Sequence, residues 1–175
     1  MPLVNRFAQW LSQTPPSRML QTYEWMVPTI QSVHIVAIGV VLAAVLMLVL
    51  RIFGVAWRDH SVADTHARFG PWLTGGLVVL LLTGLAMIVG EPPRELLALS
   101  FWLKMLLVAV GAGLVAAFRR SLRRHGARWD TAAAHDGRTR VLAVLTLLVW
   151  CAAVVLGRLI AYDYVWGSWS AGLKG

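Results

Sequence analysis

Three side chains able to bind an anion, hold a metal or carry a proton lie inside apolar stretches of this chain: His34, Lys104 and Arg158. No Asp or Glu lies inside any of those stretches. A charge at the centre of a membrane helix costs about 2.5 kcal/mol or more, so such residues need a partner and mark function. Arg offers a rigid fork of donors to carboxylate or phosphate, and Lys a mobile point charge. Neutral imidazole can ligate a metal or relay a proton near neutral pH. A b-type haem would use all three, with His34 on the iron and Lys104 and Arg158 on the propionates. A quinone would use His34 or Lys104 as donor to a carbonyl and as proton partner during reduction.

The elements that must position these groups follow from composition. The 175 residues are 58% hydrophobic and only 14% charged, too little charge for an ordinary soluble domain. Four stretches, 30–50, 71–90, 96–118 and 141–162, reach or approach the roughly 20 residues that cross about 30 Å of hydrocarbon. The expected fold class is all-α, an integral membrane four-helix bundle. It is divided into an outer amphipathic N-terminal segment, residues 1–28, and a four-span bundle, residues 29–175. In the first segment Leu3, Phe7, Trp10 and Leu11 recur at helical spacing, as in a helix lying on a membrane surface. Thr14-Pro15-Pro16 ends that helix, and Ser17 is placed to cap a second one. Pro71 is expected to open the second span, and Glu91-Pro92-Pro93 to form a tight turn. Gly75, Gly76 and Gly84, and later Gly111 and Gly113, permit close helix approach.

The net charge is +8, and its distribution argues against nucleic acid as the partner. Ten of the sixteen basic residues fall in the first and third connections: Arg51, Arg58, Arg68, then Arg119, Arg120, Arg123, Arg124, Arg128, Arg138 and Arg140. The positive-inside rule then places those connections in the cytoplasm and both termini outside, in a bacterial inner membrane. The lone Cys151 excludes an internal disulfide, and no cysteine–histidine spacing for zinc is present. The tail from Asp163, with Tyr164, Trp166 and Trp169, reads as an aromatic anchor at the outer interface.

At about 1.5 Å per residue, His34 and Arg158 each lie about 6 Å inside the outer ends of their spans. Lys104 lies about 12 Å in, or about 6 Å if its span opens at Ser100. All three belong to the outer leaflet, with Trp102 and Tyr162 in the same layer. The same residues also have a plain structural reading. Lys104 and Arg158 have stems long enough to snorkel, and Glu91, Glu95, Glu24 or Asp163 could reach in from the rim to pair with them. His60 and His66 read as solvated connection residues, and His125 and His135 as surface groups.

His34, the run Leu81-Leu82-Thr83-Gly84-Leu85 and the run Phe101-Trp102-Leu103-Lys104-Met105-Leu106-Leu107 together resemble a family of small, poorly characterised bacterial four-helix membrane proteins. The likeness extends from Trp10-Leu11-Ser12-Gln13-Thr14-Pro15 to Gly157-Arg158-Leu159-Ile160-Ala161-Tyr162. More distantly the pattern resembles HemJ-type protoporphyrinogen oxidases and the membrane domain of copper-resistance D proteins. Those families carry a His early in helix one, a Leu-Thr-Gly-Leu-like run in helix two and a Trp-x-x-Lys-like motif in helix three. Here the Trp102–Lys104 spacing is one residue shorter. The HemJ likeness implies a b haem and redox chemistry. Where those proteins place a second His this chain reads Ala116-Ala117-Phe118, which leaves five-coordinate haem, a different second ligand, or no haem. Two functions are therefore expected to compete. One is an inner-membrane redox-type protein holding b haem or quinone through His34, Lys104, Arg158 and Trp102, with a membrane redox partner or a second copy of itself. The other is a non-catalytic anchor or accessory subunit. A small transporter ranks third, since four helices without inverted repeats or a broken-helix signal lack the usual transporter marks.

Overall fold

The computed structural model describes residues 2–135 and 137–162. The aromatic tail of Tyr164, Trp166 and Trp169 lies outside these residues, as do the side chains of His125 and His135. The chain forms α1 (Pro2–Ser12), α2 (Pro15–Thr22), α3 (Met26–Ile52), α4 (Val62–Gly90), α5 (Pro92–Leu96), α6 (Leu99–His135) and α7 (Gly137–Ala161), with no strand among the described residues. Four of these helices, Met26–Ile52, Val62–Gly90, Leu99–Arg124 and Thr139–Ala161, are long and apolar enough to span a membrane. The molecule is an all-α, multi-pass membrane bundle.

The apolar stretches fold as helices because, without water, a backbone must satisfy its own N–H and C=O groups. α3 packs along α4 and α7, and α6 packs along α7. Val41, Val45 and Val49 of α3, Leu73 of α4, Leu122 of α6 and Trp150 of α7 form the central core. Leu81, Leu82, Leu106 and Leu148 point outward, as lipid-facing residues do. Gly76 lets α3 and α4 touch: a Cβ there would lie 2.7 Å from Val41 Cγ2. Gly111 does the same for α6 and α7, where a Cβ would meet the Trp150 ring at 3.0 Å. Gly75 and Gly113 face open space.

Three boundaries differ from the sequence expectation, each for a local reason. α4 begins at Val62 instead of Pro71, because Ser61 and Asp64 form a capping box. The Ser61 hydroxyl accepts the Asp64 backbone N–H at 2.9 Å, and the Asp64 carboxylate accepts the Ser61 N–H at 3.3 Å. These bonds satisfy donors that a helix start otherwise leaves orphaned. Pro71 then sits inside the helix. Ser17 does not cap α2. It is buried within the helix and accepts a bond from Gln21 Nε2, while Thr14 occupies the cap position ahead of Pro15. The Glu91 segment is also no plain turn. Its two prolines start the one-turn helix α5, since proline's fixed φ suits the first helical positions.

The end of the bundle that carries the N-terminal segment has its own small core. Ala8 of α1, Leu96 of α5, Ala98, Phe101 of α6 and Ile160 of α7 pack together. The larger apolar residues of α1, Leu3, Phe7 and Trp10, remain exposed. That face suits a helix resting on lipid. The short α5 is thus clamped between α1 and the ends of the spans, and this clamp positions the site.

Candidate functional site: a polar layer beneath the clamp

His34 lies on the third turn of α3 and is only 9% exposed. Its Nδ1 is 2.7 Å from Thr83 Oγ1 on α4. The Thr83 hydroxyl is 2.7 Å from the Val79 carbonyl, to which it donates. A hydroxyl has one proton. With that proton committed to Val79, the bond to His34 requires Nδ1 to be the donor. That arrangement favours the Nδ1–H tautomer, with the lone pair on Nε2. The adjacent Gly84 leaves space beside the imidazole, since a Cβ there would lie 3.8 Å from His34 Cε1.

Lys104 comes from the opposite side of the layer. α6 opens at Leu99, not Leu96, which puts Lys104 about 8 Å along its helix, near the shallower of the two expected depths. Its ammonium lies over Gly157 of α7, where a Cβ would stand 3.6 Å from Nζ. Glu95 of α5 is 8% exposed and lies within electrostatic reach of Lys104. Burial pushes the Glu95 carboxyl above its ordinary value, and the charges of Lys104 and Arg94 oppose that shift. Lys104 and His34 are close enough to interact electrostatically. One turn before Lys104 on the same helix, the hydroxyl of Ser100 is buried without a hydrogen-bond partner.

The other two expected site residues stand elsewhere. Trp102 is 45% exposed, and its indole N–H donates to the Leu96 carbonyl at 3.0 Å, tying α6 to the end of α5. Arg158 is exposed, with its guanidinium 5.9 Å from the ring centre of Tyr162 one turn later. The structure thus brings His34 and Lys104 together and leaves Arg158 outside their layer. It adds Thr83 beside His34 and Glu95 near Lys104, with Ser100 one turn along α6 from the lysine. Thr83 carried a signal in the sequence, as the one hydroxyl in the Leu81–Leu85 run at a depth matching His34. Ser100 carried none.

This donor set fits haem only in part. His34 Nε2, with Nδ1–H held by Thr83, is arranged as histidine ligands are when a second partner fixes the ring. Two cations for two propionates are not gathered there, because Lys104 faces Glu95 and Arg158 faces away. Among the described residues no group of three or more His, Cys, Asp or Glu could hold a metal ion. The layer instead offers an acceptor (His34 Nε2), a donor cation (Lys104), a hydroxyl (Ser100) and a carboxyl that can keep its proton (Glu95). Comparison with curated proteins and with solved structures finds no match. A sequence profile described as a family of unknown function, DUF6644, matches residues 7–163, from α1 past the end of α7, and the chain belongs to that family.

Proposed function

We propose that the His34–Lys104 layer binds a quinone-type carbonyl ligand and exchanges protons with it, as part of an electron-transfer step in the membrane. The observation that carries this reading is the buried Ser100 hydroxyl, left without a partner one turn from Lys104, on the helix whose lysine lies within electrostatic reach of His34. A buried polar atom without a partner costs about 1–3 kcal/mol, and a ligand carbonyl or its bound water removes that cost. Lys104 donates to one carbonyl oxygen. His34, protonated at Nε2 from the aqueous side, returns that proton as the carbonyl takes up electrons. Glu95, as the carboxylic acid, reloads the relay with its proton and takes up another from the aqueous side. The electrons come from a membrane redox partner. A redox setting is what the HemJ-type resemblance read from the sequence would imply, and the partial fit to haem favours quinone over porphyrin. Under the positive-inside rule the layer faces the outer leaflet of a bacterial inner membrane.

The test uses the full chain purified in mild detergent. Solvent extracts are assayed for quinone, and a short-chain quinone is titrated against tryptophan fluorescence. Bound quinone, or saturable quenching weakened about tenfold or more in His34→Ala and Lys104→Gln, supports the reading; a buried charge-assisted bond has that weight. Arg158→Gln should bind as the wild type does. A Soret band lost in His34→Ala would replace quinone with haem. A colourless, quinone-free chain unresponsive to titration would leave the second reading, a helical anchor or accessory subunit. That reading draws on the bond of His34 with Thr83, which by itself ties α3 to α4, and on the bond of the Trp102 indole to the Leu96 carbonyl, which ties α6 to the end of α5.

A further inference from the structure

We infer that a second site lies at the other end of the bundle: a cleft between α4 and α6 built to hold a phosphate group, carried by an anionic phospholipid or free in solution. The cleft has a volume of about 480 Å³ and is lined by His66, Ala67, Gly70, Pro71, Thr74, Gly75 and Arg119. It is a shallow depression, open along much of its surface. None of the residues lining it is acidic.

Its walls are specific. Gly70 has no side chain, and the His66 imidazole lies in the space so created, 3.0 Å from where a Cβ would be. The far side of the ring packs toward Phe118, with ring centres 5.8 Å apart. His66 Nε2 is buried and has no hydrogen-bond partner. Arg119 is partly buried, and its guanidinium donates to Thr74 Oγ1 at 3.2 Å. The Thr74 hydroxyl proton goes to the Gly70 carbonyl at 2.9 Å, so its oxygen is the acceptor for Arg119. Thr74 thereby holds a guanidinium at the cleft with its four remaining N–H donors. One turn later on α6, Arg123 adds a second positive charge that reaches His66.

A positioned guanidinium, with no carboxylate beside it and with an unpartnered His66 Nε2 that can donate as N–H, matches a phosphate better than a neutral ligand. Pro71, Thr74 and Gly75 are exposed on the lipid-facing side of α4, so the cleft opens sideways. A headgroup phosphate can enter there while its acyl chains stay beside the helix. This is also the arginine-rich end, which the positive-inside rule assigns to the leaflet where anionic lipids are attracted to basic segments. The site is separate from the His34 layer and does not depend on it.

The experiment measures thermal unfolding of the full chain in neutral detergent with three probes: phosphatidylglycerol, phosphatidylcholine and inorganic phosphate. The site predicts a rise in the unfolding temperature with phosphatidylglycerol or inorganic phosphate above that with phosphatidylcholine. Arg119→Gln should weaken the apparent affinity about tenfold, and His66→Phe should weaken it less. Arg124→Gln, an exposed arginine outside the cleft, should leave it unchanged. A response to phosphatidylglycerol alone identifies a lipid site, and a response to inorganic phosphate identifies a soluble ligand. Equal losses in Arg119→Gln and Arg124→Gln would overturn the inference in favour of diffuse surface attraction, and no difference among the three probes would overturn it outright. If Arg119→Gln fails to fold, ³¹P line broadening of phosphatidylglycerol by wild type against His66→Phe decides the same question.

Discussion

The His34–Thr83 bond is the most testable element of the candidate site. Thr83→Val keeps the shape of the side chain and removes the acceptor. The Nδ1–H of His34 then points at a methyl group in a site where the ring is 9% exposed. A net hydrogen bond is worth about 0.5–1.5 kcal/mol, and leaving a buried donor unsatisfied costs about 1–3 kcal/mol. Inside a membrane such pairs average about 0.6 and reach about 1.7 kcal/mol in double-mutant cycles. Thr83→Val should therefore destabilise the chain by about 1–2 kcal/mol. Thr83→Ser keeps the hydroxyl and should cost well under half as much. The decisive measurement is the cycle with His34→Ala, by denaturant unfolding in mixed micelles. Its coupling should be about 0.6–1.7 kcal/mol. In parallel, ¹⁵N spectra of labelled histidine should show the Nδ1–H tautomer for His34 in the wild type and its loss in Thr83→Val. A coupling indistinguishable from zero, or an Nε2–H ring in the wild type, would refute the tautomer argument and remove the acceptor from the proposed relay.

Other consequences can be checked in the same preparation. Gly75→Ala and Gly76→Ala gain the same helix propensity, about 1 kcal/mol. Only the second drives a Cβ to 2.7 Å from Val41 Cγ2, on a stiff, buried side chain. Overpacking costs about 1–3 kcal/mol, so Gly76→Ala should melt lower than Gly75→Ala by roughly that margin. Glu95 holds its proton more tightly in the folded chain than its ordinary value of 4.5 implies. Stability should therefore fall as pH rises through that region toward the raised folded value, by at most about 1.4 kcal/mol per pH unit for one proton. Glu95→Gln should flatten that slope in unfolding curves taken between about pH 4 and 7. Ser61→Ala breaks the capping box of α4 and should cost about 0.5–2 kcal/mol, seen as faster hydrogen exchange in the first turn of that helix.

The spans were legible because twenty apolar residues can fold in only one way in lipid, and the four stretches all became helices. Their ends were not, because caps act through a few hydrogen bonds that outweigh a proline. Ser61 and Asp64 started α4 well before Pro71, and the prolines after Glu91 opened a helical turn. In the site, depth was readable from residue counts, and it placed His34 and Lys104 in one layer. Rotation about the helix axis was not readable, and it separates Arg158 from Lys104. Gly157 faces the lysine, so its neighbour Arg158, about 100° further round the helix, cannot. Glu95 was nameable only as one of several rim carboxylates, since its burial depends on α1 clamping α5. His66 looked like a solvated connection residue until the early start of α4 carried it onto a helix.

The continuity of α6 has a mechanical consequence. The helix runs past its basic residues Arg119, Arg120, Arg123 and Arg124 unbroken to His135, with about 16 Å of rod beyond Arg124. A flexible loop would absorb a change in tilt; a rod transmits it. Leaning α6 by about 10° about Arg124 would swing its tip by about 3 Å. Lys104 and Arg119 ride on that same rod, so a shift of the helix at one polar region is felt at the other.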